Sequence, residues 1–548
     1  MSKHAADERT DDHPQEVRAR VGDDSVIVTP LGGVGRFGRN CLLLEVPDGD
    51  AVVIDCGVRF LHESEAPGFE LALPDLARLR ALGSRLKGYL VTHGHEDHVG
   101  ALPFAFDGAP ARLITLPFTS DVIERRFART GRTAPAIEIV EPGVEIAVGT
   151  FVVRFVNVSH AIPDSSALVV DTPAGRVVHS GDFRIDLAPL AGPPTDLDAL
   201  STLGPVRLLL ADSTGALSSG ASPGEASVTG PLTDAIRDAP ALVIVGTYGS
   251  HFQRVKSVAE AARITGRKLV VLGPSVRDTV AAARRRGLVD FDDVLAPLSA
   301  LESLSRHHLV VVAPGCQGEE ASTLARVARG DHPRLVVEKG DRVILSARTI
   351  PGNELAVGAL TDAFAHRGVV VMSGENGRHV SGHGARDELV DLLTRTAPDL
   401  FVALHGSERH LAAHRAIAAE LIGENAVIAL SDGETLTLTS RTHTVDRTEA
   451  LSTPFVQGRE VVVEPERIVA ARQRMMQAGV LVVRRAPAAV SGRGLLPALL
   501  SVGLVTEIVG SIEKLANEGD DVVRDRVIEI VLRRCRQSGV RAPEVVVV

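Results

Sequence analysis

At 548 residues, 45% hydrophobic and 23% charged, the chain is long enough for two or three packed domains and too apolar to be a disordered polymer. A net charge of −10 argues against bulk attraction to nucleic acid without excluding a local basic channel. The cations are mostly arginine, which base composition explains as readily as phosphate recognition does. Four scattered cysteines (Cys41, Cys56, Cys316, Cys535) with no C-x-x-C pair argue against a disulfide framework or a cysteine zinc site. No apolar run reaches the roughly 18 residues of a membrane-spanning helix, so no membrane partner is expected and the cytoplasm is the expected compartment.

Taken in chain order, residues 1–24 are polar and charged, and are expected to form a disordered tail. Over 25–221, short Val/Ile/Leu-rich runs predict strands. Over 222–368, apolar runs at 241–246 and 268–273 alternate with helical stretches at 255–264 and 277–286, which predicts a parallel sheet with its own core. Strand-end residues of the first kind return after this block, so it reads as an insertion into a first domain that resumes over 369–452. A linker and small α+β unit are expected over 453–548, with a helix at 464–477, a strand at 480–485, a loop at 486–494 and an amphipathic helix at 520–537. The stripe Val523, Val527, Ile530 and Val531 in that last helix reads as a core face.

The densest chemistry is His93-Gly94-His95-Glu96-Asp97-His98. Residues 88–92 before it read as a buried strand and 99–102 after it as the opening of a helix, so the ligands sit on a loop where side chains converge. Imidazoles with a carboxylate suit zinc or manganese, and two ions better than one. A two-ion site needs more ligands, and apolar runs elsewhere close in suitable residues: Asp55, His160, Asp182 and His405. Each alone is as well explained by local structure; the series is not.

This ligand order resembles the metallo-β-lactamase superfamily. Further motifs resemble ribonuclease J, in the β-CASP branch of nucleic-acid-cleaving members, over roughly residues 25–445. They include Gly32-Gly33-Val34-Gly35, Leu73-Pro74-Asp75, residues 159–165, Asp212-Ser213-Thr214, residues 315–319, residues 350–354 and His379-Val380-Ser381-Gly382-His383-Gly384. The resemblance implies an α/β protein: a metallo-β-lactamase αββα sandwich with an inserted β-CASP α/β domain, followed here by the small α+β unit. It implies two divalent ions per chain, zinc or else manganese. His93, His95 and His160 would hold one, Asp97, His98 and His405 the other, and Asp182 would bridge them. Asp55 would orient a ligand histidine.

His383, flanked by glycines, would face the scissile phosphate with Asp212 positioning it; these two and Asp182 are the expected catalytic residues. His379, Ser381 and the amides around Gly382 resemble a pocket for a terminal 5′ phosphate, and Ser250, His251 and Arg254 match positions that approach substrate phosphate. Histidine at 405 is the RNA-cleaving choice, where DNA-cleaving relatives carry valine. The implied activity is 5′-to-3′ exonucleolysis of single-stranded RNA with a 5′-monophosphate, with some endonuclease activity, in RNA decay and maturation. A homodimer or homotetramer and RNA-decay partners are also implied. The rival readings are a small-molecule metallo-hydrolase, a DNA-acting β-CASP nuclease and a non-catalytic RNA-binding paralogue. The chain departs from the family pattern at Arg36-Phe37, where Glu-Ile is usual, and at Ser407-Glu408, where Glu and an aromatic are usual. It departs again at Pro274 and Glu320.

Overall fold

The protein is described by a computed structural model over residues 24–350, 352–447, 451–495, 502–538 and 540–548; the tail expected over 1–24 lies, but for Asp24, outside them. Two sheets pack face to face. The first has eight strands, ordered His443–Arg447, Glu434–Leu438, Val26–Gly32, Cys41–Glu45, Ala51–Ile54, Leu86–Leu90, Arg112–Thr115 and Ile137–Ile139. The second has seven, ordered Glu145–Val148, Phe151–Val158, Ser165–Thr172, Gly175–His179, Leu208–Asp212, Leu400–Leu404 and Val427–Ile428.

Strand periodicity of two divides the apolar residues between cores. Leu42, Leu44, Val52, Ile54 and Leu90 point into the space between the sheets, where they meet Phe155, Leu168, Val170 and Leu210. Their neighbours Leu43, Val53 and Tyr89 point outward, onto Leu76, Leu79 and Phe104 of the covering helices. On the far side, the helices Arg386–Thr396 and Glu408–Ile422 complete the αββα order by burying Leu389, Leu393 and Leu411. Strands buried on both faces read as continuous apolar runs, which explains Leu208–Asp212.

The insertion is a six-stranded parallel sheet, ordered Leu295–Ala296, Lys268–Val271, Leu309–Pro314, Val243–Thr247, Arg342–Leu345 and Val370–Met372. Val243 and Val245 face one core and Leu242 and Ile244 the other. The first of these cores continues into Phe118 and Ile162 of the sandwich, so the inserted domain is packed against the main one. The predicted helices at 255–264 and 277–286 are Phe252–Thr265 and Pro274–Arg285.

Three expectations need correction. The return to the first domain comes later than 369, because Val370–Met372 pairs in parallel with Arg342–Leu345 and continues the β-α alternation by one strand. Residues 453–462 are more than linker: Phe455–Gln457 pairs with Leu71–Ala72 and with Glu460–Val462, and Val456 is buried in the outer core. The loop expected at 486–494 contains the strand Ala489–Arg493, which pairs with Val480–Arg484; its Ser and Gly hid it from periodicity. The helix Val502–Lys514, which periodicity missed, packs on Asp520–Ser538. The predicted stripe Val523, Val527, Ile530 and Val531 is the core face of that second helix. No helix among the described residues is long and apolar enough to cross a membrane.

Candidate metal centre

The candidate ligands converge because they follow the C-terminal ends of strands in the two facing sheets. His93 and His95 lie on the loop after Leu86–Leu90, and His160, Asp182 and His405 follow Phe151–Val158, Gly175–His179 and Leu400–Leu404. The helix opens at Glu96, earlier than its predicted start, so Asp97 and His98 stand on its first turn, where a carboxylate suits the positive helix end. Asp55 and His405 hold φ of 58° and 51°, a left-handed conformation uncommon outside glycine and here located at the site. Gly57 is required sterically: a Cβ there would lie 1.6 Å from the carbonyl oxygen of Asp97.

Seven side chains meet as two groups that share one carboxylate: His93, His95, His160 and Asp182, and Asp97, His98, His405 and Asp182. Asp182 Oδ2 lies 3.7 Å from His93 Nε2, 3.3 Å from His98 Nε2, 3.8 Å from His160 Nε2 and 3.7 Å from His405 Nε2. His95 Nδ1 is 3.1 Å from both His93 Nε2 and His160 Nε2. Burial holds the His93 and His160 imidazoles well below the usual histidine range and lowers His95 to about 4. Burial opposes the charged form of His98 and His405 too, but Asp182 with Asp97 and the other nearby carboxylates raises both above the ordinary histidine range. A metal ion would satisfy that negative field in place of those protons, and the whole donor set fits a dinuclear metal site.

The surrounding hydrogen bonds fix the rings. Asp55 Oδ2 accepts from His98 Nδ1 at 2.8 Å and from Thr92 Oγ1 at 2.8 Å, while Oδ1 accepts from the Thr92 amide. Thr214 Oγ1 meets His405 Nδ1 at 2.6 Å, and His160 Nδ1 donates to Gly382 O at 2.7 Å. Asn40, absent from the sequence reading, has Nδ2 3.2 Å from Asp97 Oδ2 and 3.0 Å from His98 Nε2. Asp55→Ala is expected to weaken metal affinity roughly 10- to 100-fold, the usual cost of losing a partner that orients a ligand. Chelator-competition titration reads this directly, and unchanged affinity would relieve Asp55 of that role.

His383 stands beside this cluster. Its Nδ1 donates to Asp212 Oδ2 at 2.7 Å, and its ring lies 4.9 Å from His160 and 5.6 Å from His405, centroid to centroid. Burial alone would lower its pKa, but Asp212, by charge and hydrogen bond, and Asp182 raise it above the ordinary value. Ser381 Oγ accepts from the His383 amide at 3.0 Å, and Arg184, fully buried, donates to Ser381 O at 3.0 Å. Glu388 braces the same loop by accepting from the amides of Ile185, Ser222 and Ala385.

The inserted-domain candidates divide. His379 is half-buried, and burial with Arg254 lowers it to about 3. Ser250 is half-buried at the mouth of its loop. Arg254 is fully buried and engaged by Glu225 Oε1 at 2.7 Å and by Ser346 O at 2.7 Å, so it braces the His379 loop from behind instead of facing open substrate. His251 is buried too, with Nδ1 unpartnered. The sequence pattern of this segment could not distinguish a solvent-facing cation from an interior one.

Three family models match the chain: "Metallo-beta-lactamase superfamily" over residues 34–275, "Ribonuclease J, beta-CASP domain" over 241–364, and "Zn-dependent metallo-hydrolase RNA specificity domain" over 368–429. The chain is 37% identical over 423 residues to ribonuclease J of Sinorhizobium meliloti, covering 76% of this chain and 75% of that protein. It is 35% identical over 438 residues to ribonuclease J of Mycolicibacterium smegmatis (79% and 78%). It is 33% identical over 467 residues to that of Synechocystis (84% and 72%). In fold it is similar to a crystal structure of a protein of unknown function from Enterococcus faecalis, with a TM-score of 0.55 and 15% identity over 76% of this chain and all of that one.

Proposed function

Because the chain belongs to the ribonuclease J family, we propose that it is a metal-dependent ribonuclease that degrades single-stranded RNA from its 5′ end and also cleaves internally. The observation that carries the reading is the junction between the ligand cluster and the glycine-flanked histidine loop. His160 of the cluster bonds Gly382 of that loop, whose next residue, His383, is paired with Asp212. A small-molecule hydrolase has no use for an inserted domain closing on this loop.

We assign His93, His95 and His160 to one ion, Asp97, His98 and His405 to the other, and Asp182 to both. Five imidazoles with two carboxylates favour zinc, with manganese second. Two such ions, when bound, supply Lewis-acid stabilisation of charge on the phosphodiester and lower the pKa of the attacking water. The chain's own residues do the rest. His383, whose protonated form Asp212 favours, donates toward the phosphate or its departing oxygen. The Ser381 hydroxyl, which accepts from the His383 amide, keeps its own proton for a phosphate oxygen. His379 and the Gly382 backbone close the same pocket.

A pocket of one hydroxyl, one neutral imidazole and backbone amides satisfies a single phosphate and leaves the added charge of a triphosphate unmatched. RNA labelled at either end, carrying 5′-monophosphate, triphosphate or hydroxyl, tests the reading. Mononucleotide release with a monophosphate preference is expected, and Ser381→Ala is expected to shrink that preference while sparing internal cleavage. Equal rates on all ends with only long products would leave an endonuclease. We further place the enzyme in the cytoplasm and assign homodimer or homotetramer contacts to the C-terminal region 453–548.

A further inference from the structure

The two departures from the family pattern, Arg36-Phe37 and Ser407-Glu408, lie far apart in sequence and together in space. Val34–Gly35 pairs in parallel with Gly406–Ser407, so the two segments run side by side at the mouth of the ligand cluster. Phe37 meets His410 edge-on at 5.1 Å and His405 edge-on at 6.0 Å between centroids. Ser407 Oγ bonds His410 Nδ1 at 2.7 Å and fixes that ring. Phe37 and His410 are half-buried, each with part of its ring still open. Each T-shaped contact sets the edge of one ring against the face of the other, and Phe37, half-buried, keeps surface open beside both histidines. Around the pair stand three guanidinium groups and the exposed carboxylate of Glu408, which lies over Gly35. Arg36 is 76% exposed with only a loose 3.7 Å contact to Glu65, and Arg348 and Arg409 are exposed. Among the described residues, Arg348 has no carboxylate partner. Burial, then Arg409 and Arg348, push His410 toward its neutral form, and Arg348 also bears on His379, so this cation is near both histidines.

A partly open aromatic ring beside a ligand histidine, with the guanidinium groups of Arg36, Arg348 and Arg409 near it, is a combination that binds single-stranded nucleic acid: bases stack on the ring and phosphates meet the cations. We infer that Phe37, held by His410 and Ser407, is a specificity-determining shelf on which a nucleobase flanking the scissile phosphodiester stacks. The inference rests on the ribonuclease reading and goes beyond it, because it assigns a base contact to a residue that departs from the usual family pattern. Stacking is worth roughly 1–3 kcal/mol per base, equivalent to about 5- to 100-fold in affinity.

The chain contains no tryptophan, so Phe37→Trp creates a unique fluorophore on the shelf. In a metal-loaded His383→Ala background, which prevents turnover, single-stranded RNA is expected to quench this fluorescence saturably. The quench should disappear when one position of the oligonucleotide is made abasic, and an abasic scan finds that position. Independently, Phe37→Leu, which keeps an apolar side chain without a π face, is expected to raise KM for RNA by about 5- to 100-fold with kcat and metal content little changed. The abasic substrate should erase the difference between Phe37→Leu and wild type. Quenching that is indifferent to every abasic position, or a Phe37→Leu enzyme with wild-type KM, overturns the shelf while leaving the ribonuclease reading intact. Failure of wild-type enzyme to cleave any RNA overturns the reading itself, and the shelf for RNA falls with it.

Discussion

Asp182→Ala is expected to lose both metal ions and to lower RNA turnover by at least about 10³-fold. The expectation follows from position. One carboxylate oxygen lies within 3.8 Å of His93, His98, His160 and His405, which belong to both halves of the cluster. Burial would push this carboxyl up, but His405, His98 and His93 hold it well below the ordinary carboxylate range, so it remains ionised at any working pH. Alanine leaves His93, His95 and His160 aimed at one another with no carboxylate in their group, and His98 and His405 with Asp97 alone. Since Lewis-acid stabilisation supplies several kcal/mol, and each 1.4 kcal/mol is tenfold in rate, losing it costs thousands-fold or more. Metal analysis of purified protein should find up to two ions per wild-type chain and few in the variant. A variant with two ions and full activity would move the bridging role to another residue.

The cluster was readable because its ligands fall at one kind of place. Metal-binding residues that follow apolar strands are marked twice in a sequence, once by their chemistry and once by the run before them. His160, Asp182 and His405 all carry this double mark. Asn40, Thr92 and Thr214 do not. They are common residue types whose importance comes from a hydrogen bond reached across the fold: Asn40 to Asp97 and Thr214 to His405. Arg254 shows the opposite failure. A cation near the start of a helix reads as a phosphate contact, yet the partner that buries it, Glu225, is 29 residues away and has no signature of its own.

Fold boundaries follow the same logic. Residues 241–246 and 268–273 are near-continuous apolar runs in a parallel sheet, and continuous runs are legible. Val370–Met372 is an edge strand, exposed at Val370, and an edge strand of three residues does not announce which sheet it joins. The pairing of residues 34–35 with 406–407 is likewise invisible in sequence. Without it, the departures at Arg36-Phe37 and Ser407-Glu408 look like two unrelated changes; with it, they become one altered surface beside His405.

His383→Ala is expected to keep both metals and RNA binding while losing roughly 10²–10⁴ in turnover, the range for a positioned acid or base. The pH profile should say which of these it is. Asp212 raises the His383 pKa, so the imidazole keeps its proton to higher pH than an ordinary histidine and loses it as pH climbs through the raised value. If it acts as an acid, kcat is flat below that value and declines above it. Asp212→Asn removes the charge that opposes burial, and the decline should then begin at lower pH, making the variant's deficit larger at about pH 8 than at about pH 6. In His383→Ala the alkaline decline attributable to this group should vanish. Asp212 also sits 3.4 Å from His405 Nδ1, so metal content must be measured alongside. A simple loss of metal would lower activity without shifting the decline. If His383→Ala loses its ions, the residue belongs among the ligands. That result would favour the third grouping the structure permits, in which Asp182, Asp212, His383 and His405 converge.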